Sequence, residues 1–188
     1  PAVPELKPEP WEDRFGKPNE AYFFKGQTNS FSTAARGSSR AYIVSSSQSR
    51  AFSVWFKPET FTTNRLCILN VGSATANMGW ELLVDEEEGL IGSWSGGTNY
   101  LSGGTVKEGK WHHAVFSYDD TMKLISLYLD GDLLGTYTNQ LLKTYSTGLN
   151  IGGPPLAAKN KKKRKKKKKA EEERQQAAEF KRKRDAEE

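Results

Sequence analysis

Phe52-Ser53-Val54-Trp55-Phe56-Lys57-Pro58 and Trp111-His112-His113-Ala114-Val115-Phe116-Ser117-Tyr118 are the two stretches whose reading decides the fold. Aromatic and β-branched residues dominate both, and neither is interrupted by Gly or Pro before Pro58, so each reads as a strand. In both, bulk falls on the two alternating faces. The expectation is therefore of strands covered on both sides, in the middle of a sandwich or jelly roll, with Trp55 and Trp111 among the most buried side chains.

Outward from these two, short apolar or alternating runs recur between clusters of Gly, Ser, Asn and Asp. They predict further strands at 21–24, 41–45, 67–71, 79–84, 90–94, 124–129, 133–137 and 149–151, which makes the whole stretch all-β. Leu129-Asp130-Gly131-Asp132-Leu133 sets Asp-Gly between alternating runs, and that pair supplies the positive φ values of a two-residue hairpin. From Val84 to Leu90 a longer acidic loop, with Gly89 near its end, reads as a second antiparallel hairpin.

The two ends differ from this body. Pro1, Pro4, Pro8, Pro10 and Pro18 stand among charged residues, a density that excludes regular helix or a central strand over 1–20. That segment reads as a Pro-rich linker, with Trp11 and Phe15 able to fold it back on the body. After Pro154-Pro155 the composition changes: residues 156–188 hold 15 Lys+Arg and 7 Asp+Glu, a net +8, whereas residues 1–155 sum to −3. Every residue of 159–169 except Asn160 is basic, and so many like charges cannot pack into a core. Residues 170–188 are good helix formers with Phe180 as their only large apolar side chain, which predicts a solvated helix without a coiled-coil seam. The organisation is thus linker 1–20, β-sandwich 21–155 and charged tail 156–188.

A length of 188 residues suits one domain. Cys67 is the only cysteine, so there is neither an internal disulfide nor a Cys/His zinc pattern, and a reducing compartment fits best. No apolar run approaches the ~18 residues of a membrane span. The N-terminal residues lack the charged and apolar regions of a signal peptide, and no Asn lies in a glycosylation sequon. Beginning at Pro1 and ending within a charged stretch, the sequence reads as a fragment of a longer chain.

Four stretches in order resemble the laminin G-like members of the concanavalin A-like lectin/glucanase superfamily. Phe52 to Pro58 is similar to that family's Trp-centred strand running into Lys-Pro, and Trp111-His112-His113-Ala114-Val115 through Tyr118-Asp119 to its Trp-His-His strand ending in Tyr-Asp. Leu127-Tyr128-Leu129-Asp130-Gly131 matches its Leu-Tyr-Val-Asp-Gly hairpin, and Leu149-Asn150-Ile151-Gly152-Gly153 its late Ile-Gly-Gly turn. The resemblance implies a two-sheet antiparallel jelly roll but names no ligand. In the family a further strand follows the Ile-Gly-Gly turn. Here Pro154-Pro155 stand instead, so the N-terminal segment supplies that edge, or it stays open, or a partner covers it.

Candidate chemistry is sparse. Asp85-Glu86-Glu87-Glu88 are consecutive and precede Gly89, which suits a solvated hairpin tip better than the facing acid and base of a glycosidase. The Glu-x-Asp-x-x-Glu pattern that the resemblance to glucanases would require is absent. His112 and His113, as neighbours on a strand, point to opposite faces and cannot share a substrate or a metal. Asp119, Asp120, Asp130 and Asp132 offer calcium as a lesser reading, but turn formation explains them as well. The most suggestive binding segment is Ser93 to Tyr100: Trp94, Asn99 and Tyr100 pair an aromatic face with polar edge groups as a sugar site needs, and Trp80 would widen the platform. Closure of the core by Trp94 is the competing reading. In the tail, Lys161, Lys162, Lys163, Arg164, Lys165, Lys166, Lys167, Lys168 and Lys169 form an anion-binding run, for nucleic acid or for an acidic protein surface or membrane, or a nuclear address, unless they are only a solvated charge run.

These readings converge on a non-catalytic interaction module with no cofactor, part of a larger intracellular protein, cytoplasmic or nuclear, whose basic tail meets an anionic partner. The alternative is a carbohydrate-binding module of a secreted or surface protein, if a signal peptide lies upstream.

Overall fold

The computed structural model describes residues 7–25, 29–32, 47–61, 65–75, 77–94, 99–144 and 149–153. Among them run twelve strands: β1 Glu9–Trp11, β2 Ala21–Phe23, β3 Ser30–Ser32, β4 Arg50–Phe56, β5 Leu66–Gly72, β6 Gly79–Asp85, β7 Gly89–Ser93, β8 Tyr100–Gly103, β9 His112–Asp119, β10 Leu124–Leu129, β11 Asp132–Tyr137 and β12 Leu149–Gly152. A six-stranded sheet in the order β3-β12-β5-β6-β7-β8 and a four-stranded sheet in the order β11-β10-β9-β4 form the two sheets of the sandwich, and β1-β2 is a separate hairpin. Every pairing is antiparallel. The strand expected at 41–45 and the tail lie outside the described residues.

The core is the meeting of alternate residues from the two sheets. Leu69, Val71, Trp80, Leu82, Val84, Leu90 and Trp94 from one side meet Phe56, Ala114, Phe116, Tyr118, Ile125, Leu127 and Leu129 from the other. At its centre the rings of Trp80 and Phe116 stack 3.8 Å apart and within 9° of parallel. The place of the Phe116 ring requires Gly92, where an added Cβ would come within 2.5 Å of it. Trp94, also wholly buried, anchors its indole by donating from Nε1 to Gln140 Oε1 at 3.1 Å.

Two expectations need correction. Trp55 is 44% exposed and Trp111 is half-buried; the buried tryptophans are Trp80 and Trp94. β4 lies at the edge of its sheet, and along it Ala51, Ser53 and Trp55 face outward while Phe52, Val54 and Phe56 face the core. The bulk on its outer face is covered by single groups, not by a second layer: His113 stacks on Trp55 at 4.9 Å, and the Arg14 guanidinium lies 4.3 Å from the Trp55 and Phe15 rings alike. β6 and β7 are the strands buried on both faces.

The second correction concerns the N-terminal segment. β1 pairs with β2 through Trp11↔Ala21 and Glu9↔Phe23, and Trp11 packs on Phe23 at 5.2 Å, so residues 9–23 form a hairpin and not a linker. Pro10 is tolerated because the pair is only two strands wide and need not satisfy a neighbour on each side. The edge beyond β12 is covered by β3, with Ile151 opposite Phe31.

The hairpins form as their turn residues dictate. Asp130 and Gly131 have φ of 53° and 97° between β10 and β11. Asp85 Oδ1 accepts the Glu87 and Glu88 amides in the tip that Gly89 closes with φ of 68°. Asp130 also reaches across to β9, accepting from the His113 amide and from His112 Nδ1, both at 2.7 Å. Because Lys107 N–H donates to His112 Nε2, the ring proton sits on Nδ1. Burial pushes the Asp130 carboxyl up, but these donors outweigh it and hold the group below the usual carboxylate range. Its stabilising contribution is therefore present above the unfolded carboxylate pKa and lost as pH falls through the folded value. Asp130→Ala is expected to cost about 1–3 kcal/mol by leaving the buried His112 N–H without its acceptor. In urea titrations the difference from wild type should shrink on acidification; a constant difference down to pH 2 would contradict the assignment.

Candidate functional site

One line of polar side chains crosses the whole six-stranded sheet. Ser32 is opposite Asn150, Asn150 opposite Asn70, Asn70 opposite Glu81, Glu81 opposite Ser93 and Ser93 opposite Tyr100. Each strand supplies one residue. Their chain neighbours Leu149, Leu69, Val71, Trp80, Leu82, Trp94 and Leu101 belong to the core or pack on it, so alternation turns the row to the opposite, outer face. Successive members are about 4.8 Å apart, the spacing of strands in a sheet. Asn150 Nδ2 donates to Asn70 Oδ1 at 3.0 Å, which fixes the rotation of both amides. Asn70, Glu81 and Ser93 are buried and engaged by neighbouring groups.

Beside the row, one register further, stand Cys67, Leu83, Ile91 and Ser102. Leu83 and Ile91 are buried outside the main core, an apolar strip alongside the polar one. Burial pushes the Cys67 thiol up to about 12, and Asn70 Nδ2 donates to its sulfur; such a thiol is protonated and unreactive. At the β8 end, Arg65 pairs with Glu88 and lies 4.9 Å over the Tyr100 ring, while Tyr100 Oη donates to Glu88 Oε1 at 3.3 Å.

The residues expected to bind a sugar are divided by this arrangement. Asn99 is exposed and Tyr100 partly so. Trp94 and Trp80 alternate onto the inner side of their strands and lie in the core between the two sheets, the face opposite the polar row. Trp94 N–H donates to Asn99 O at 3.3 Å, which closes the base of the β7–β8 loop. Residues 95–98, and the basic run Lys161 to Lys169, lie outside the described residues. Ser93 opens the segment expected to bind, whereas Asn70, Glu81 and Asn150 belong to no motif that the sequence marks.

The aspartates serve turns and pairs. Asp119 Oδ1 accepts the Thr121 and Met122 amides, Asp120 accepts from Lys123 and Tyr118, and Asp132 opens β11. Lys123 and then Tyr118 hold the Asp120 carboxyl below its usual range. No cluster of three or more His, Cys, Asp or Glu side chains forms among the described residues. His112 is buried beneath Asp130 and His113 lies on the outer face with its Nε2 2.9 Å from Ser53 Oγ.

Two facing antiparallel sheets define a β-sandwich. The family model of the Concanavalin A-like lectin/glucanases superfamily matches residues 22–162, and the chain belongs to that superfamily. A search of curated proteins finds no match. Among solved structures, the chain is similar to the Ruminococcus gnavus IT-sialidase CBM40 bound to α2,3 sialyllactose, with 14% identity over 58% of this chain and 67% of that one and a TM-score of 0.48. A SAP-like pentraxin from Limulus polyphemus shows 17% identity, covering 62% and 58%, with a TM-score of 0.44. Domain 4 of a Geobacillus stearothermophilus extracellular arabinanase in complex with arabinotriose shows 24% identity, covering 63% and 58%, with a TM-score of 0.44. These are likenesses of fold alone.

Proposed function

We propose that the domain is a non-catalytic carbohydrate-binding module that takes its ligand on the outer face of the six-stranded sheet. The observation that carries this reading is the row Asn150–Asn70–Glu81–Ser93–Tyr100, one polar residue from each of five adjacent strands. Sugars offer adjacent hydroxyls that both donate and accept, and amides, a carboxylate and hydroxyls in line match that pattern. Asn70, Glu81 and Ser93 are buried in the free chain, so a ligand reaches them by displacing the groups that cover the row and taking over their polar contacts. A glycan array probed with the full chain tests it: saturable binding to a defined glycan class is expected, and an array without signal contradicts it.

The absence of catalysis rests on the carboxylates. From Glu81 the next outer positions along β6 are Leu83 and then Asp85, about 13 Å away at the rise of a strand, against the ~5 to 9 Å between a glycosidase's acid and base. Asp85 is also committed to its turn. Incubation with β-glucans is expected to release no reducing sugar. Product that disappears in Glu81→Gln would contradict this.

A second reading is favoured by Cys67, the one thiol of a domain without a disulfide: a protein-interaction module of a reducing compartment. In either reading, the run 159–169 is proposed to hold an anionic partner by charge.

A further inference from the structure

We propose a second binding site, away from the row, in the groove between the N-terminal hairpin and the end of β4, for an extended proline-rich peptide that carries a Lys or Arg. The groove has a volume of about 470 Å³ and is lined by Pro10, Trp11, Glu12, Pro18 and Asn19 on one wall and Lys57 and Glu59 on the other. Its hairpin wall is held in place. Asp13 Oδ1 accepts the Phe15 and Lys17 amides, and Arg14 lies between Phe15 and Trp55. Trp11 is backed by Phe23 yet remains 42% exposed, so its ring is fixed before any ligand arrives and little order is lost on binding.

The lining selects the ligand. Trp11 between two prolines is an apolar ridge against which proline rings pack, and a polyproline II segment arrives already extended with its carbonyls turned outward. The Trp11 indole N–H, which bonds no described residue, the Asn19 amide and Lys57 are donors for those carbonyls. Lys57 is paired with Glu59 at 3.5 Å, leaving Glu12, exposed and without an ion pair to a described residue, as the net charge of the groove. That charge, beside an aromatic ring, favours a cationic side chain next to the prolines. An anionic ligand would meet two carboxylates.

The test is the full chain titrated with a twelve-residue peptide of alternating Pro-Pro-x repeats ending in Arg, followed through the Trp11 indole and Asn19 amide signals by NMR, the former assigned with Trp11→Phe. Saturable shifts are expected, weakened at least about tenfold in Trp11→Ala. Glu12→Gln should weaken the Arg peptide several-fold and leave an Arg-free version unchanged. Melting of both variants at the wild-type temperature separates loss of the site from loss of the fold, and Glu12→Gln, an isosteric surface change, decides the matter if Trp11→Ala unfolds. No shift with either peptide, equal binding when the prolines are replaced by Ala, shifts that survive Trp11→Ala, or shifts given only by mono- and disaccharides would each overturn the proposal. None of these outcomes bears on Glu81 or the row.

Discussion

Binding of the full chain to a polyanion such as heparin or duplex RNA is expected to weaken by ~10³ to 10⁵ between 50 and 200 mM salt. The ground is the run 159–169, ten basic residues in eleven, which would neutralise ~6 to 10 phosphates or sulfates and release as many counterions. No aromatic residue is interleaved with the lysines, so base stacking adds nothing and sequence should matter little. Deleting 159–169 should abolish the binding. The melting temperature of the sandwich should stay nearly unchanged, because a run of like charges contributes no core. Salt-insensitive binding, or a sandwich that unfolds without the run, would contradict this account of the tail.

Trp80→Ala is expected to destabilise the fold by about 3–5 kcal/mol, a loss that leaves much of a marginally stable domain unfolded. The side chain is wholly buried, stacks on Phe116 and touches Phe52 and Tyr118 through ring contacts, so its removal opens a cavity between the two sheets. The control is Trp55→Ala. The residue is 44% exposed and loses mainly the His113 and Arg14 contacts, which together are worth about 1 to 2 kcal/mol. Urea denaturation of both variants orders them. Equal costs, or a larger cost at Trp55, would show that the core has been placed on the wrong tryptophans.

That contrast also shows where the sequence could be read and where it could not. Strand positions at β4 to β7 and β9 to β12 follow from apolar alternation and turn residues, and Asp130-Gly131 forms the hairpin that its chemistry requires. Bulk on both faces of Phe52 to Phe56 was a poor guide to depth, because an edge strand can keep an aromatic half in water when an Arg and a His cover it. The short strands β1, β3 and β8 carry too few residues for a period to show, and Pro10 argues against the first. Asn70, Glu81 and Asn150 each sit between apolar neighbours, a pattern that marks a polar residue facing away from the core. Joining them into one row needs the strand order β12-β5-β6, in which the last described strand lies beside the fifth, and no local pattern encodes that neighbourhood. Trp94 fell the other way: the loop chemistry around it suits a sugar, but its place in the alternation of β7 directs it inward, to Gln140.

The central claim, a glycan held on the outer face of the six-stranded sheet, is tested most directly by titration calorimetry of the strongest array ligand against wild type and Glu81→Gln. A carboxylate that accepts from a sugar hydroxyl contributes about 1.5–3 kcal/mol, so Glu81→Gln is expected to weaken binding by roughly 10- to 100-fold while the melting temperature shows the sheet intact. Unchanged affinity in a folded Glu81→Gln protein would place the ligand elsewhere and contradict the account.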